Sequence, residues 1–437
     1  MRHRFADAIN RGINFVIDQV TKENLETLLA KHLGAGDVLV DLAWNIDANT
    51  IIGWCHDNGV LYLNTSVEEW DPYDAADDRH PIDRTLLVRH LRLQELKATW
   101  DKPGPTAIVE HGANPGMVSH LVKKALRDIA ERCLAENLLG DNTDAVRDAL
   151  ATEHYAHLAW KLGVKVIHVS ERDTQITDKP KEVGEFVNTW SIDGFVSEGG
   201  QPAEMGWGTH EKALPPDGAR HKFGCDAAIY LSRPGLLTRV RTWTPLERPF
   251  HGFIITHNES ISMADYFTLR DGAGKATYRP TVHYAYHPCD QAIMSMHEIA
   301  GKNLHQQMKQ RLIVEEITDG RDELGVLLMG HKKGAYWYGS QLDIHETRKL
   351  TPYNNATSIQ VCAPVLSGII WALENPNQGL VEADEMDFAR NLEICMPYLG
   401  PVVGKYSDWT PLLDRGRLFP EDIDKSDPWQ FKNFRVT

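Results

Sequence analysis

Three segments of the sequence place acidic side chains near a tryptophan or next to glycines. Glu171 lies in the segment SERDTQ, Trp190 lies in FVNTWSI, and Glu198 precedes two glycines in FVSEGG. An indole face and several carboxylates both attract cations in a partly desolvated pocket. Such a pocket suits an alkylammonium group and would select its ligand by charge and length.

Each of these residues also fits a structural role. The charged run that contains Glu171 is typical of a surface turn at the end of a strand. A predicted strand over residues 186–192 puts Trp190 on the same face as every second neighbour, and a tryptophan on such a face usually belongs to the core. The glycines after Glu198 fit either a plain turn or the close approach of a ligand. The residues alone leave these alternatives open.

Two histidine-containing segments and one further acid, Asp322, could also carry chemistry. His257 follows the apolar run GFII and could be a core histidine or a proton shuttle near neutral pH. Asp322 precedes an apolar run and could simply cap a strand. His283 and His287 resemble a helical metal-binding pair, but their aromatic, strand-like context separates them by about 13 Å at roughly 3.3 Å per residue. We therefore predict no metal site.

The turn GANPG at residues 112–116 follows a predicted strand and precedes a predicted helix. In a doubly wound sheet, ligands bind at this position, between the carboxyl end of a strand and the amino end of a helix. A plain turn capped by Asn114 is an equally good interpretation. The sequence contains no GxGxxG turn of the kind that lets a backbone approach a pyrophosphate.

The elements that must position these residues begin with an α/β pattern. Short apolar runs alternate with helical patterns, which predicts parallel strands joined by crossover helices. The predicted strands are 13–17, 38–42, 60–64 and 106–110, and the predicted helices are 21–32, 50–56 and 83–100. A further helix after the GANPG turn has an apolar face from Val118 to Cys133.

The middle of the chain has longer and more aromatic strands and fewer helices, which predicts a mainly antiparallel sheet. The predicted strands are 164–169, 186–192, 252–256, 278–287 and 324–328. A strongly apolar helix is predicted over residues 358–374. We therefore divide the chain into an α/β domain over 1–135, a mainly antiparallel α+β domain over 136–352, and a C-terminal helix and tail over 353–437 that pack back on the first domain.

Composition and charge narrow the class of protein. The 437 residues are 42% hydrophobic and 24% charged, which is typical of a folded protein of two or three domains. A net charge of -15 disfavours nucleic acid and anionic membranes as partners, and it mildly favours a cationic small molecule.

The cysteines and the amino terminus predict a cytoplasmic location. Six separated cysteines without a CxxC pair are expected to be reduced core thiols. The amino terminus lacks the apolar run of a signal peptide, and no uncharged apolar stretch approaches the length of a membrane span.

Nine segments spread along the chain resemble those of the bacterial homospermidine synthases, which belong to the saccharopine dehydrogenase-like group. The resemblance runs essentially from end to end. Its most specific stretches are GANPGMVS from Gly112, SERDTQ from Ser170, FVNTWSIDGFVSEG from Phe186, THNESIS from Thr256, HYAYHPC from His283, DELGVLL from Asp322, AYWYGSQL from Ala335, WALENPN from Trp371 and LFPEDIDKSDPWQF from Leu418.

The resemblance implies a fold, a cofactor and a reaction. It implies a Rossmann-type domain that binds NAD over residues 1–135, and a second domain over 136–352 that supplies the substrate pocket and homodimer contacts. The implied reaction joins two putrescines through an imine and releases ammonia. The aminobutyl group can also come from spermidine, with release of diaminopropane.

The resemblance also assigns roles to residues that match the family's motifs. The implied catalytic residues are Glu171, Glu198, His257 and Asn114. The implied substrate-binding residues are Trp190, which would stack on the substrate cation, Glu68, Asp322 and Asn45. The implied cofactor-binding residues are Gly112, Ala113, Asn114 and Thr65.

The sequence departs from the family pattern in two places. Many members carry a pocket aspartate where this chain has Asn45, unless Asp47 supplies the charge from a shifted position. The first strand and glycine-rich turn of a Rossmann domain have no counterpart, which suggests that about forty residues are missing before Met1. The Rossmann-type sheet is therefore expected to be truncated, and the favoured explanation is a misassigned start codon.

Two alternative functions remain open at this stage. One is a saccharopine- or carboxynorspermidine-type dehydrogenase, which would need arginines or lysines to hold substrate carboxylates. The other is a short form without catalytic activity that binds polyamines but not NAD.

Overall fold

The computed structural model describes residues 6–70 and 80–436, so the basic residues 1–5 of the predicted cytoplasmic amino terminus lie outside the described part. Within this part the α-helices are α1 (Ala6–Asn10), α2 (Leu25–His32), α3 (Ala48–Asn58), α4 (Leu86–Ala98), α5 (Met117–Ala135), α6 (Thr143–Ala151), α7 (Tyr155–Leu162), α8 (Ile192–Gly200), α9 (Glu259–Tyr266), α10 (Asp290–Gly301), α11 (Ile344–Leu350), α12 (Ala356–Glu374), α13 (Phe388–Cys395) and α14 (Phe431–Phe434). The strands are β1 (Val38–Asp41), β2 (Leu61–Asn64), β3 (Ala107–Val109), β4 (Val166–Asp173), β5 (Ile176–Thr177), β6 (Glu185–Asn188), β7 (Pro202–Gly206), β8 (Gly218–Arg220), β9 (Ala228–Pro234), β10 (Arg239–Thr244), β11 (Arg248–Phe253), β12 (Leu269–Arg270), β13 (Ala276–Tyr278), β14 (Thr281–His287), β15 (Lys309–Leu312), β16 (Ile317–Asp319), β17 (Arg321–His331), β18 (Gly334–Asp343), β19 (Leu380–Glu382) and β20 (Val402–Ser407).

The first sheet has four strands in the order β1-β2-β3-β19, and every pairing in it is parallel. The alternation of apolar runs and helical patterns had predicted β1, β2 and β3 with their crossover helices. Because the strands are parallel, their carboxyl ends meet at one edge, where ligands bind in sheets of this kind. The expected α/β architecture is confirmed.

The second sheet has ten strands, and β4 and β14 are a parallel pair at its centre. The antiparallel strand β17 flanks β4 on the other side, with Asp322 opposite Asp173 and Leu324 opposite Glu171. Side chains two residues apart on a strand point to the same face, so Glu171, Asp173 and Asp322 share one face of this sheet.

The GANPG turn joins β3 to α5 as the sequence predicted. Gly116 has a φ of 125°, and a Cβ atom there would lie 2.3 Å from the carbonyl oxygen of Gly112, so only glycine fits. The apolar face of α5 is buried from Val118 to Cys133. The turn is therefore held at the edge of the first sheet by a long helix with a buried apolar face.

Helix α12 returns the chain to the first sheet, where Trp371 packs with Leu63 and Ile108. Among the described residues, it is the one helix long and apolar enough to cross a membrane, and 56% of its most apolar window is buried inside the protein. A mostly buried core helix passes the same test, so this helix is weak evidence for a membrane span.

The strand predicted over residues 13–17 is wrong. These residues form no regular element, and Ile13 and Ile17 are 60% and 79% exposed. No strand in the described part of the chain pairs with them, so the apolar run has no sheet to join.

The strand predicted over residues 186–192 ends early. Strand β6 stops at Asn188, and the Ser191 hydroxyl accepts a hydrogen bond from the Gly194 backbone N–H at 3.1 Å to begin α8. Trp190 therefore lies in a strand-to-helix turn, and Glu198 lies in the last turn of a helix rather than in a glycine turn. Similarly, the strand predicted over 252–256 ends at Phe253.

The cysteine prediction holds only in part. All six thiols are free, and Cys55, Cys133, Cys289 and Cys395 are buried. Cys225 is only partly buried and Cys362 is exposed on α12, so these two are not core thiols. The apolar spacing of α12 did not show that one side of this helix borders a cavity.

The C-terminal segment divides between the two sheets. Helix α12 packs on the first sheet and β19 extends it, whereas β20 pairs with β18 in the second sheet. The aromatic side chains of the final residues pack on that second sheet as well, since Trp409, Phe431 and Phe434 share a core with Trp337. The tail beyond α13 thus differs from the expectation that it packs on the first domain.

Candidate active site

A cavity of about 500 Å³ lies between the carboxyl ends of the first sheet and the central strands of the second. Its wall contains all but two of the residues that the sequence analysis assigned to a site. These residues are Thr65, Glu68, Gly112, Ala113, Asn114, Glu171, Trp190, Glu198 and His257. The fold thus brings together residues that are up to 192 positions apart, from Thr65 to His257.

Glu171, near the carboxyl end of β4, is fixed by two hydrogen bonds to one carboxylate oxygen. The Tyr284 hydroxyl donates to Oε2 at 2.5 Å, and the Asn114 side-chain amide donates to the same atom at 3.1 Å. Burial raises the pKa of Glu171 to about 8, and the bond from Tyr284 opposes this rise. Glu171 can therefore both release and accept a proton near neutral pH.

Two more buried carboxyl groups, Asp173 and Asp322, lie behind Glu171. Burial raises the pKa of both, and repulsion from Glu171 and Asp173 adds to the rise for Asp322. The Thr357 hydroxyl donates to Asp322 Oδ2 at 2.5 Å. Neighbouring carboxyl groups cannot all ionise without water or cations, so this cluster retains a proton at neutral pH.

Trp190 lines the cavity from the turn between β6 and α8. Its indole Nε1–H donates to the Tyr286 hydroxyl at 3.0 Å, and its ring lies 5.2 Å from the ring of Phe195. The Asn188 amide also donates to the Trp190 carbonyl oxygen at 3.1 Å. These contacts hold the indole at one orientation against the cavity.

His257 lies between two carboxylates. Its Nε2 is 3.0 Å from Glu198 Oε2, and its Nδ1 is 3.4 Å from Glu259 Oε1. Burial disfavours the charged imidazole, but the carboxylates of Glu259 and Glu198 outweigh burial and raise the pKa of His257 well above its usual value. His257 is therefore a buried imidazolium at neutral pH, with its ring 4.6 Å from that of Tyr284.

Glu68 and Glu110 add two acids on the side of the first sheet. The Ser66 hydroxyl donates to Glu68 Oε1 at 2.8 Å, and burial raises the pKa of Glu68. The Asn258 side-chain amide donates to Glu110 Oε2. Burial raises the pKa of Glu110 to about 8.

The structure does not place Asp322 or Asn45 on the wall of this cavity. Asp322 lies one layer behind Glu171. The expectation that it contacts the substrate directly is therefore not met. Asn45 borders an adjoining cavity and reaches the site only through its backbone, which hydrogen-bonds to Glu68. Asp47 does not replace the missing pocket acid, because its carboxylate caps α3 by accepting from the Thr50 backbone N–H at 2.8 Å.

The expected dinucleotide side of the cavity is formed by the carboxyl ends of β2 and β3. Thr65 and Ser66 follow β2, and Gly112 and Ala113 follow β3, all on the cavity wall. A Cβ atom on Gly112 would be in van der Waals contact with Thr65 and with the Pro115 carbonyl oxygen at 3.5 Å. Hydroxyl groups and a glycine without a side chain at this edge fit the nicotinamide end of a dinucleotide.

The cavity wall carries four acids and one arginine among the described residues. The acids are Glu68, Glu110, Glu171 and Glu198, and the arginine is Arg89. Arg89 donates through Nη1 to the Val67 carbonyl oxygen at 2.9 Å, so the backbone satisfies part of its guanidinium group. The wall suits a small organic cation better than a carboxylate.

Metal binding has no support within residues 6–70 and 80–436. No group of three or more histidine, cysteine or acidic side chains in this part is arranged to hold a metal ion. His283, whose spacing from His287 resembles that of a metal-binding pair, is fully buried, and its ring lies 4.1 Å from that of His168.

Five residues of the site were missed by the sequence analysis: Glu110, Asp173, Asn258, Glu259 and Tyr284. Four of them lie inside segments already singled out, since SERDTQ contains Asp173, THNESIS contains Asn258 and Glu259, and HYAYHPC contains Tyr284. Glu110 ends the strand that precedes the GANPG turn. Neither composition nor spacing distinguishes it from an exposed acid at a strand end.

Comparison with known proteins covers nearly the whole chain. The family models of the saccharopine dehydrogenase NADP binding domain and C-terminal domain match residues 2–108 and 112–407. The homospermidine synthase of Blastochloris viridis is 51% identical over 98% of this chain and 88% of its own length. That of Mesorhizobium japonicum is 50% identical over 98% of this chain and 87% of its own length.

A solved structure agrees with these matches. The crystal structure of the homospermidine synthase from Legionella pneumophila in complex with NAD has a TM-score of 0.87 and 47% identity, and the match covers 98% of this chain and 89% of that one. These matches give no support to the expectation that a first βα unit is missing.

Proposed function

The chain belongs to the homospermidine synthase family, and from this premise we propose that it forms homospermidine from two putrescines, or from putrescine and spermidine, with NAD as cofactor. The observation that carries the proposal is the cavity wall, which combines an indole with four carboxylates and lies at the carboxyl ends of a parallel sheet. An alkyl diamine carries a positive charge at each end and a short apolar chain between them. The acids and the indole match both features.

The nicotinamide end of NAD would be held by Thr65, Gly112, Ala113 and Asn114. When bound, NAD supplies a hydride acceptor for the amine-bearing carbon of one putrescine and the hydride that later reduces the joined product. The glycine at position 112 supports this assignment, because a Cβ atom there would occupy the space beside Thr65.

Trp190 and the acids bind and orient the substrate. The indole face receives an ammonium group by a cation–π interaction, and the bond from Nε1 to Tyr286 keeps that face towards the cavity. Glu198 contributes a further negative charge to the cavity wall. Its orientation is held by the hydrogen bond between Glu198 Oε2 and His257 Nε2. The apolar side chain of Val361 on the cavity wall helps to exclude water from the reacting carbon.

Glu171 moves the protons. An amine must be neutral to lose a hydride or to attack an imine, so ammonium groups must release protons inside the cavity. A carboxyl group with a pKa of about 8 accepts such a proton and returns it to the departing ammonia. Repulsion from Asp173 adds to the effect of burial on that pKa, whereas a hydrogen bond with Asp322 opposes it, and Asn114 positions the accepting oxygen.

The decisive experiment follows deuterium. Putrescine deuterated at both amine-bearing carbons is incubated with the protein and NAD, and the product is analysed by mass spectrometry. We expect homospermidine that retains every deuterium atom, with no net NADH, because the hydride returns to the carbon it left. The same incubation without the protein provides the background.

Two results would overturn the proposal. Net oxidation of NADH that depends on an added amino acid together with an aldehyde or oxoacid would favour the saccharopine- or carboxynorspermidine-type dehydrogenase, whose substrate carboxylates Arg89 would then have to bind. Calorimetry that detects putrescine binding without NAD binding would favour the short form without catalytic activity.

The proposal includes the surroundings in which the enzyme works. The resemblance to the family supports a homodimer in the cytoplasm, and the net charge of -15 supports neither nucleic acid nor a membrane as partner. Light scattering on the purified protein tests the dimer, since a monomeric mass at working concentration would contradict it.

A further inference from the structure

Glu110 directly follows β3, in a backbone conformation that is unusual for its side chain. Its φ is 56°, in the left-handed region that glycine and asparagine favour. The conformation is held because the Glu110 backbone N–H donates to Asn64 Oδ1 at 2.7 Å, and the Asn64 amide donates to the Tyr62 hydroxyl at 3.0 Å. Strained conformations of this kind concentrate at functional sites.

This backbone conformation places the Glu110 carboxyl group on the cavity wall, although the residue is only 8% exposed. Asn258, which follows His257 in the chain, donates a hydrogen bond to Oε2. The charged groups that act on Glu110 from its surroundings are the carboxylates of Glu382 and Glu259 and the cations of His90 and Arg89. Within the described residues, none of the cations forms an ion pair with it at 4.0 Å or less.

We propose that Glu110 is a further substrate-binding residue, whose carboxylate receives the ammonium group of the diamine that lies next to Gly112 and Ala113. Asn258 fixes the carboxyl group so that its second oxygen is available to the ligand. The proposal rests on the proposed function, because it assumes that the cavity binds a diamine. It assigns an acid carried by the first sheet, whereas Glu171 is carried by the second sheet, so that each end of the ligand would meet an acid.

Binding of this kind has a measurable consequence for protons. In the empty cavity, burial keeps Glu110 largely protonated at pH 7, since its pKa is about 8. An ammonium group beside the carboxyl favours the ionised form. The Glu110 proton then leaves to the solvent while the ligand keeps its own, so diamine binding releases a proton. If Glu110 only tied β3 to the segment around Asn258, its proton would stay in place.

The test is calorimetry of putrescine binding at pH 7 to the protein saturated with NADH, which cannot accept a hydride from the diamine, in two buffers of different ionisation enthalpy. We expect Glu110→Gln to bind putrescine at least tenfold more weakly and to release nearly one proton fewer than the wild type. Glu211→Gln is the matched control. Glu211 is also a buried acid, with a pKa of about 7, but it binds Thr281 and the Phe431 backbone outside the cavity wall.

Each outcome decides the assignment. Unchanged affinity and proton release in Glu110→Gln would overturn it, and so would an equal loss in Glu211→Gln. If Glu110→Gln does not fold, Glu110→Asp is measured instead, and we expect it to keep the proton release but bind putrescine more weakly. A wild-type protein that binds NAD but not putrescine would remove the proposed function itself, and the assignment with it.

Discussion

The indole Nε1–H of Trp190 donates a hydrogen bond to the hydroxyl oxygen of Tyr286, 3.0 Å away, and so connects the turn before α8 to the centre of the second sheet. Tyr286 lies opposite Glu171 in the parallel pair of β14 and β4. The bond therefore fixes the aromatic face of the cavity relative to the acid that we propose moves protons. Cation binding and proton transfer depend on the same two strands.

Trp190→Ala should raise the KM for putrescine by about tenfold or more, because a cation–π interaction in a desolvated pocket contributes about 2 kcal/mol. Trp190→Phe keeps an aromatic face but loses the bond to Tyr286, so its KM should lie between those of the wild type and Trp190→Ala. Steady-state kinetics with varied putrescine measures both. Trp160→Ala is the control, since Trp160 is exposed and lies outside the cavity wall. Equal kinetics for Trp190→Ala and the control would exclude cation stacking at Trp190.

Tyr284→Phe should move the acidic limb of the pH profile of kcat/KM towards higher pH. The hydroxyl of Tyr284 donates to the Glu171 carboxylate at 2.5 Å and stabilises its ionised form, so its loss raises a pKa that is already about 8. A hydrogen bond to a charged group contributes about 1.5 kcal/mol or more, which corresponds to about one pH unit.

The control for this prediction is Tyr278→Phe. Tyr278 is buried, and its hydroxyl donates to the Val164 carbonyl oxygen at 2.9 Å, so the substitution removes a buried hydroxyl without touching Glu171. Its pH profile should match that of the wild type. If the profile of Tyr284→Phe also matched, Glu171 would not be the group whose ionisation limits the rate.

The resemblance to the family implies that Glu198 is catalytic, so Glu198→Gln should lower kcat by about 100-fold, as the loss of a general acid–base group does, and leave the fold intact. The substitution also removes one of the two carboxylates that keep His257 charged, so the pKa of His257 should fall and remain supported by Glu259 alone. Kinetics together with histidine NMR titration measure both effects.

A second buried histidine–glutamate pair is available for comparison. His221 Nε2 lies 2.9 Å from Glu204 Oε1, and neither residue is part of the cavity wall. Glu204→Gln should lower the thermal stability while kcat stays near that of the wild type. A similar fall of kcat in both variants would mean that Glu198 acts only through the stability of the fold.

The sequence predicted the parts of the fold that local pattern controls. The alternation of strands and helices gave β1 to β3, and the glycines at 112 and 116 gave the turn before α5. Strand β19 could not be foreseen, because three residues have no usable period and their partner β3 lies about 270 positions earlier in the chain. The strand predicted through Trp190 was too long, since the capping by Ser191 overrides the apolar alternation.

The same limit applies to the site: residues in local motifs could be predicted, and positions set by distant parts of the chain could not. Motif resemblance found Glu171, Glu198, His257 and Trp190, which the structure places on one cavity wall. It could not show that Asp322 lies behind Glu171, because the register that sets Asp322 opposite Asp173 joins strands about 150 residues apart. Glu110 was missed because its position depends on a left-handed backbone held by Asn64.

Glu171→Gln should flatten the dependence of thermal stability on pH. The pKa of Glu171 is about 8 in the folded protein, against an ordinary value of 4.5, so the folded state binds more protons than the unfolded state between these limits. The contribution of this group to stability is therefore fully present below about pH 4.5 and is lost as the pH rises through 8. Glutamine cannot ionise, so the melting temperature of the variant should fall less than that of the wild type between pH 5 and pH 8. Glu95→Gln, at an exposed position on α4, should follow the wild-type curve. Parallel curves for Glu171→Gln and the wild type would mean that Glu171 is already ionised in the folded protein, and the proposed proton transfer would then need another acid.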